Sequence, residues 1–219
     1  TFGNDNLDTS TFQGGVTHTA GNSALSGQLI TNDAAITLTG ATLRTLTLGN
    51  NASITTDNVT GAIITLGAVS NGTAYTLGLT ADGGDISVNG AVGGGTALGA
   101  ITVNSANAVR FYSTVNAASL TQTTGTTTQF DGNITTTDAT GINVTSTNIT
   151  LDGLILNTTA GAGSDVLLTG TAITLSGDAV TIQANDDITV TGTVSGAQAL
   201  NLQTANVAGS AITFNNTIG

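Results

Sequence analysis

Apolar residues alternate with threonine or serine in short segments along the whole chain. Ile36-Thr37-Leu38 and Ile188-Thr189-Val190 show the pattern. A period of two residues is typical of a β-strand with one side in a core and the other in solvent. The pattern predicts short strands of three to five residues, which include 35–39, 46–48, 63–66, 86–88, 101–103, 149–151, 173–175, 180–182 and 188–190.

Glycine and asparagine groups separate these segments, as in Gly49-Asn50-Asn51 and Asp131-Gly132-Asn133. Both residue types tolerate the positive φ of tight turns. Strand starts follow one another at about ten residues, which is too short for a crossover helix between parallel neighbours. Two architectures remain: an antiparallel sandwich of hairpins, or a parallel coil whose turns stack on one another.

An internal repeat favours the coil. Asp85–Val92 returns as Asp187–Val194 at an offset of 102 residues, and Ala108–Val115 returns as Ala211–Ile218 at an offset of 103. A coil lengthens by duplication of whole turns, whereas strands of a sandwich have no reason to recur in this way. With turns of roughly 20 to 25 residues, the repeat would span four or five turns.

We therefore predict an all-β fold, a parallel β-helix (β-solenoid) without helices of any length. Residues 1–219 are expected to form one continuous solenoid in which 85–115 match 187–218. The chain stops at Gly219, where the next copy of the repeat would begin. We expect it to be part of a longer repeat array, or a subunit whose ends abut another copy.

Three segments carry a family resemblance: 84–90, 92–98 and 211–218. They resemble the Thr/Gly/Asn-rich repeats of very large bacterial surface proteins, among them the filamentous-haemagglutinin-like and autotransporter-like adhesins. The likeness lies in composition and rhythm and covers most of the chain. It implies a single-stranded, right-handed parallel β-helix, secretion to the cell surface, and a structural role as a stalk, fibre or adhesin, with no secretion cap to identify the export route.

Four of the five phenylalanines share a spacing, because each stands four residues before a valine or isoleucine. They are Phe12, Phe111, Phe130 and Phe214. A few aromatic residues in one repeated context indicate a structural role in the core. We expect them to fill an equivalent corner of the coil.

Charge narrows the range of partners. The chain has no lysine, and Arg44 and Arg110 are its only arginines against 13 acidic residues, for a formal net charge of −11. Nucleic acids and anionic lipids are bound by clusters of basic residues, and a membrane span needs about 20 apolar residues. We expect no nucleic-acid partner and no membrane insertion. The expected partners are copies of the chain, adjoining repeats, and glycans or proteins of a host or neighbouring cell, in an extracellular setting.

Catalytic chemistry has little support in the sequence. His18 aligns with Thr136 when Phe12 is matched to Phe130, so we expect an outward position without a Ser-His-Asp arrangement. A polysaccharide lyase would need a cation beside its base, and a glycosidase would need two facing carboxyl groups. We therefore predict no enzymatic activity, no catalytic residue and no cofactor-binding residue.

Calcium is the one metal that the sequence suggests, since the absence of cysteine removes thiolate sites. Gly83-Gly84-Asp85 resembles part of the nonapeptide that binds calcium in other repeat coils. The candidate ligands are Asp82, Asp85, Asp186 and Asp187. Capping of turns is the simpler role for these side chains.

Two further functions stay open beside the structural one. The first is a carbohydrate-binding or carbohydrate-cleaving β-helix with a groove where Tyr75 or Tyr112 meets paired aspartates. The second is a pilin-like subunit that polymerises by donating a strand.

Thr-x-Thr pairs such as Thr37 with Thr39 and Thr189 with Thr191 suggest ice binding, but that would require one pair per turn on one face, and their spacing is irregular.

Overall fold

A computed structural model of the protein describes residues 1–39, 45–56, 61–205 and 208–219. Within these ranges the chain forms strands, turns and bends, and no helix. The strands are β1 (Thr9–Phe12), β2 (Val16–His18), β3 (Ser23–Thr31), β4 (Ile36–Leu38), β5 (Thr45–Thr55), β6 (Ile64–Leu66), β7 (Ala68–Asn71), β8 (Leu77–Thr80), β9 (Ile86–Val88), β10 (Leu98–Ser105), β11 (Ala108–Phe111), β12 (Val115–Gln122), β13 (Thr127–Phe130), β14 (Ile134–Thr136), β15 (Ile142–Thr145), β16 (Asn148–Asp152), β17 (Ile155–Asn157), β18 (Val166–Ser176), β19 (Val180–Ala184), β20 (Ile188–Ser195), β21 (Leu200–Thr204) and β22 (Ile212–Phe214).

All strand pairings in the described part of the chain are parallel. Ile86 of β9, for example, pairs with Ile64 one turn earlier and with Val109 one turn later. This excludes the antiparallel sandwich and confirms the parallel β-solenoid, which has about nine turns. At a strand spacing of about 4.8 Å, nine turns extend about 43 Å along the axis.

Strands of successive turns stack into three faces, and the chain passes through the three faces in a fixed order. The first face holds β1, β8, most of β10, β15, β22, the second halves of β3, β5 and β12, and the first halves of β18 and β20. The second face holds β2, β4, β6, β9, β11, β13, β16 and the second halves of β18 and β20. The third face holds β7, β14, β17, β19, β21 and the first halves of β3, β5 and β12.

A single apolar core runs through the stack from Val16 to Val194. Because side chains alternate along a strand, every second residue points inward, as Ile64 and Leu66 of β6 do while Thr65 stays partly exposed. Burial of each Leu, Ile or Val stabilises the fold by about 1.5–3 kcal/mol. The alternation read from the sequence is therefore the source of the core.

The length of a turn varies around the value expected for solenoids of this class. On the second face a short turn separates Val109 from its partner Thr128, whereas the turn that separates Ile36 from its partner Ile64 is nearly half as long again. The strands nevertheless stay in register on this face, so turns of different length stack on one another. The stack is therefore regular in space although it is irregular in sequence.

The internal repeat does not span a whole number of turns. Ile86 begins β9 on the second face, whereas its counterpart Ile188 begins β20 on the first face, where it pairs with Ile212. Val92 lies on the third face, bridged to Val115, and its counterpart Val194 lies on the second. Each copy is thus displaced by one face, because the three faces have the same alternating pattern and accept the same sequence.

Candidate functional site

The outward side chains of the second face form a row along the solenoid axis. Each follows an inward residue of its strand, as Thr37 follows the buried Ile36. The row runs through Thr17, Thr37, Thr65, Ser87, Arg110, Gln129, Thr150, Thr174 and Ser195. Arg110 and Gln129 interrupt an otherwise hydroxyl-bearing row, so the chemistry of this face changes at β11 and β13.

Arg110 is held by its own strand and by the next turn. Its Nε and Nη2 donate to Oδ2 of Asp131 at 2.8 and 2.7 Å, and its guanidinium carbon lies 4.2 Å from the centre of the Tyr112 ring. Gln129 Nε2 donates to the other carboxylate oxygen of Asp131 at 2.7 Å. These four side chains brace one another and are called the arginine cluster below.

The electrostatics of the cluster are set by the ion pair. Burial lowers the pKa of the Arg110 guanidinium, but the hydrogen bond and the charge of Asp131 outweigh it, so that the pKa is raised above its ordinary value. Arg110 therefore remains charged across the whole neutral range. Because Asp131 balances that charge at 2.7 Å, the cluster presents directed hydrogen-bonding groups with little net charge.

A depression of about 310 Å³ lies beside the arginine cluster and crosses β11, β13 and β16. Its lining includes Ala108, Arg110, Gln129, Asn148 and Thr150. The methyl group of Ala108 is short beside the long side chains of Arg110 and Gln129, which explains why the surface dips here. Hydroxyl, amide and guanidinium groups thus surround a recess large enough for a small ligand.

Sequence reasoning missed this cluster, although a signal for it existed. Matching Phe111 to Phe130 places Arg110 beside Gln129 and Tyr112 beside Asp131, which is the register that β11 and β13 adopt. The long repeat instead aligns Arg110 with Thr213. Tyr112 is one of the two tyrosines expected at a groove with paired aspartates. In the structure Arg110 contacts both the Tyr112 ring and the carboxylate of Asp131.

The four phenylalanines divide between two faces. Phe111 and Phe130 are buried in the second face and stack on each other. Phe12 ends β1 on the first face and meets Phe2 edge-on, with ring centres 6.1 Å apart. Phe214 ends β22, also on the first face, where it pairs with Val190. The equivalent corner expected for all four therefore holds only for Phe111 and Phe130.

Two of the aspartates considered for calcium bond to serine hydroxyls one turn later. The Ser105 hydroxyl donates to Asp82 Oδ1 at 2.5 Å, and the Ser210 hydroxyl donates to Asp186 Oδ1 at 3.1 Å. Both contacts tie consecutive turns together at a corner of the solenoid.

The other two aspartates belong to a recurring turn-capping position. Asp85 and Asp187 each stand directly before a strand and accept, through Oδ1, the backbone N–H of Ala108 at 3.1 Å and of Ala211 at 2.7 Å. Asp165 does the same for the N–H of Asp187 at 2.9 Å. Across the described ranges, no group of three or more His, Cys, Asp or Glu side chains is arranged to hold a metal ion.

His18 occupies an inward position rather than the outward one expected. It ends β2, pairs with Leu38 and is half-buried, and its Nδ1 shares a hydrogen bond of 2.8 Å with the Ser23 hydroxyl. Thr136, the counterpart of His18 in the alignment of Phe12 with Phe130, is itself buried at the third position of β14. The aligned position is therefore an inward one, and the expectation of an outward position was wrong for both residues.

The remaining candidates are dispersed. Tyr75 packs partly buried against the core. Thr37 lies on the second face and Thr189 on the first, so the Thr-x-Thr pairs do not gather on one face. Arg44 lies outside the described residues.

No protein-family model matches the sequence, and neither a curated protein nor a solved structure matches it. The fold itself places the chain in the class of parallel β-solenoid repeat proteins. No helix among the residues that the structure describes is long and apolar enough to cross a membrane.

Proposed function

We propose that this chain is a rigid structural segment of an extracellular fibre, stalk or adhesin, of the kind built by filamentous-haemagglutinin-like and autotransporter-like surface proteins. The observation that supports it is the continuity of the core and of the parallel pairing through about nine turns. In such a stack each turn contacts only its neighbours, so added turns lengthen the molecule into a rod.

The terminal turns supply the second argument. Ile212 and Ile218 are 45% and 57% exposed, although Ile188 and Val194, their partners one turn earlier, are buried. At the other end Phe12 is 37% exposed. One further turn of the same kind would cover these side chains and extend the open strand edges. We propose that copies of the chain or adjoining repeats provide it.

Electron microscopy and small-angle X-ray scattering of the purified chain over a concentration series test this proposal. We expect stiff rods about 43 Å long at low concentration and longer rods of the same width at high concentration. Particles that flex, or that stay single at every concentration, would contradict the proposal.

A pair of variants in one strand tests whether copies of the chain contact each other through the end of the stack. Ile212→Asp puts a charge on the exposed inward position of β22 and should abolish the lengthening. Thr213→Asp carries the same charge on the neighbouring outward position, opposite Thr189, and should leave it intact. Equal effects of the two substitutions would mean that the end of the stack is not the contact surface.

A further inference from the structure

We propose that the arginine cluster and the depression beside it bind a neutral sugar residue of a glycan. The site is formed by side chains from three consecutive turns, so it exists only in the folded solenoid. This inference is independent of the stalk function, since a structural segment needs no ligand on its outer surface.

The first argument is the aromatic ring. Tyr112 is 43% exposed and is fixed by the guanidinium of Arg110 at 4.2 Å from its ring centre. Tyr112 adjoins the depression across Arg110, which is one of its lining residues. The part of this fixed ring that Arg110 does not cover offers an apolar surface for the C–H groups of a sugar unit at little cost in conformational entropy.

The second argument is the supply of directed polar groups. Gln129 uses its Nε2 on Asp131, which leaves its carbonyl oxygen to accept a hydrogen bond from a sugar hydroxyl. Within the described residues the Asn148 side-chain amide makes no hydrogen bond, and Asn148 lines the recess together with Thr127 and Thr150. The lining of the recess thus combines amide and hydroxyl side chains with a mostly apolar exposed surface, which suits the hydroxyl and C–H groups of a sugar ring.

The third argument concerns charge and selects neutral glycans over anionic ones. The chain has a formal net charge of −11, and the charge of Arg110 is already matched by Asp131 at 2.7 Å. A sulfated or uronic-acid glycan would approach a repulsive surface and find no unpaired cation in the cluster. A neutral hexose or pentose polymer meets no such barrier.

The test uses the full chain on an array of neutral and anionic glycans. Isothermal titration follows, with hexasaccharides of β-1,4-glucan, α-1,4-glucan, β-1,4-mannan, β-1,4-xylan and chitin, and with a heparin hexasaccharide as the anionic comparison. We expect saturable binding of at least one neutral hexasaccharide and none of the heparin fragment. Binding of the heparin fragment alone, or of no glycan, would overturn the proposal.

Variants assign the binding to this site. Tyr112→Ala and Asn148→Ala should each weaken binding at least about tenfold, a loss of about 1.4 kcal/mol, whereas Tyr112→Phe keeps the ring and should retain most of the affinity. Ser87→Ala and Thr174→Ala change other positions of the same outward row and should leave the affinity unaltered. Circular dichroism of each variant checks that the solenoid is intact. Unchanged affinity in folded Tyr112→Ala and Asn148→Ala would place the binding elsewhere and refute the site.

Discussion

Phe111 and Phe130 stack in consecutive turns of the second face, with ring centres 5.8 Å apart and ring planes inclined by 26°. Both rings are buried. They continue the inward row from Val88 to Leu151, with which they pair in register. Two aromatic rings therefore occupy positions that aliphatic side chains fill in the neighbouring turns.

Loss of one ring of this pair should be costly. Phe130→Ala removes a fully buried side chain and leaves a cavity, so we expect the free energy of unfolding to fall by about 3–5 kcal/mol. Phe12→Ala, at a partly exposed position in the first turn, is the control and should cost much less. Urea unfolding followed by circular dichroism measures both. A small loss at Phe130 would show that its turn repacks around the missing ring.

A buried hydrogen bond links the first and second faces and gives a second prediction. Gln122 Nε2 donates to Thr128 Oγ1 at 2.7 Å, and both side chains are buried. Thr128→Val removes this acceptor and leaves the amide only the longer bond of 3.5 Å to the backbone oxygen of Thr124, so we expect the chain to be destabilised by about 1–3 kcal/mol.

The double variant Gln122→Leu/Thr128→Val separates this bond from packing. Val103 and Val144 flank Gln122 in the inward row of the first face, so an aliphatic residue fits there. We expect the double variant to recover most of the stability lost by either single change, as measured in a double-mutant cycle. Additive losses would argue against coupling of the two side chains.

Two glycines with similar backbone angles differ in what surrounds them. Gly141 has φ of 62° and Gly163 has φ of 69°, both in the left-handed region. A Cβ at Gly141 would overlap the backbone oxygen of Asp165 in the next turn, whereas a Cβ at Gly163 meets nothing within 4 Å. Gly163→Ala should therefore cost only the conformational strain, about 1–2 kcal/mol, and Gly141→Ala distinctly more. Thermal unfolding of the two variants makes the comparison, and equal losses would mean that the turns separate easily at this corner.

Asp187 distinguishes turn capping from calcium binding. Its Oδ1 accepts the N–H of Ala211 at 2.7 Å, and an asparagine oxygen accepts equally well. We expect Asp187→Asn to keep the melting temperature and Asp187→Ala to lower the stability by about 0.5–1.5 kcal/mol, with no response to calcium or to a chelator. A melting temperature that rises with calcium in the wild-type chain and not in Asp187→Asn would establish the metal site instead.

Removal of one turn tests the modular construction. Ile149 pairs with Ile173 and Asn148 with Ala172, so deletion of residues 149–172 joins two equivalent positions and shortens the stack by one turn. We expect the remaining turns to fold and the circular dichroism spectrum to keep its β-sheet shape, because each turn depends on its neighbours alone. Deletion of residues 149–160, which ends at a non-equivalent position, should unfold the stack locally and lower the unfolding free energy sharply. Similar behaviour of both deletions would contradict the register.

The candidate site could be predicted only in fragments. Composition and charge singled out Arg110, and the scarcity of aromatic residues singled out Tyr112. The partner Asp131 depends on which turn stacks on which, and on this face the turn that follows Val109 is much shorter than the turn that follows Ile36. No fixed period in the sequence supplies that information.

The sequence alone establishes that the chain forms short strands with one buried and one exposed side. Apolar residues alternating with threonine require strands buried on one side, and turn residues every few positions prevent long helices, so the stacked parallel coil follows from the repeat. The folded stack was needed to show which face each strand joins, since Ile86 and Ile188 lie on different faces with nearly the same local sequence. All three faces bury the same kinds of side chain, and for that reason local sequence does not distinguish them. The lengths of the loops and the packing between turns assign each strand to its face.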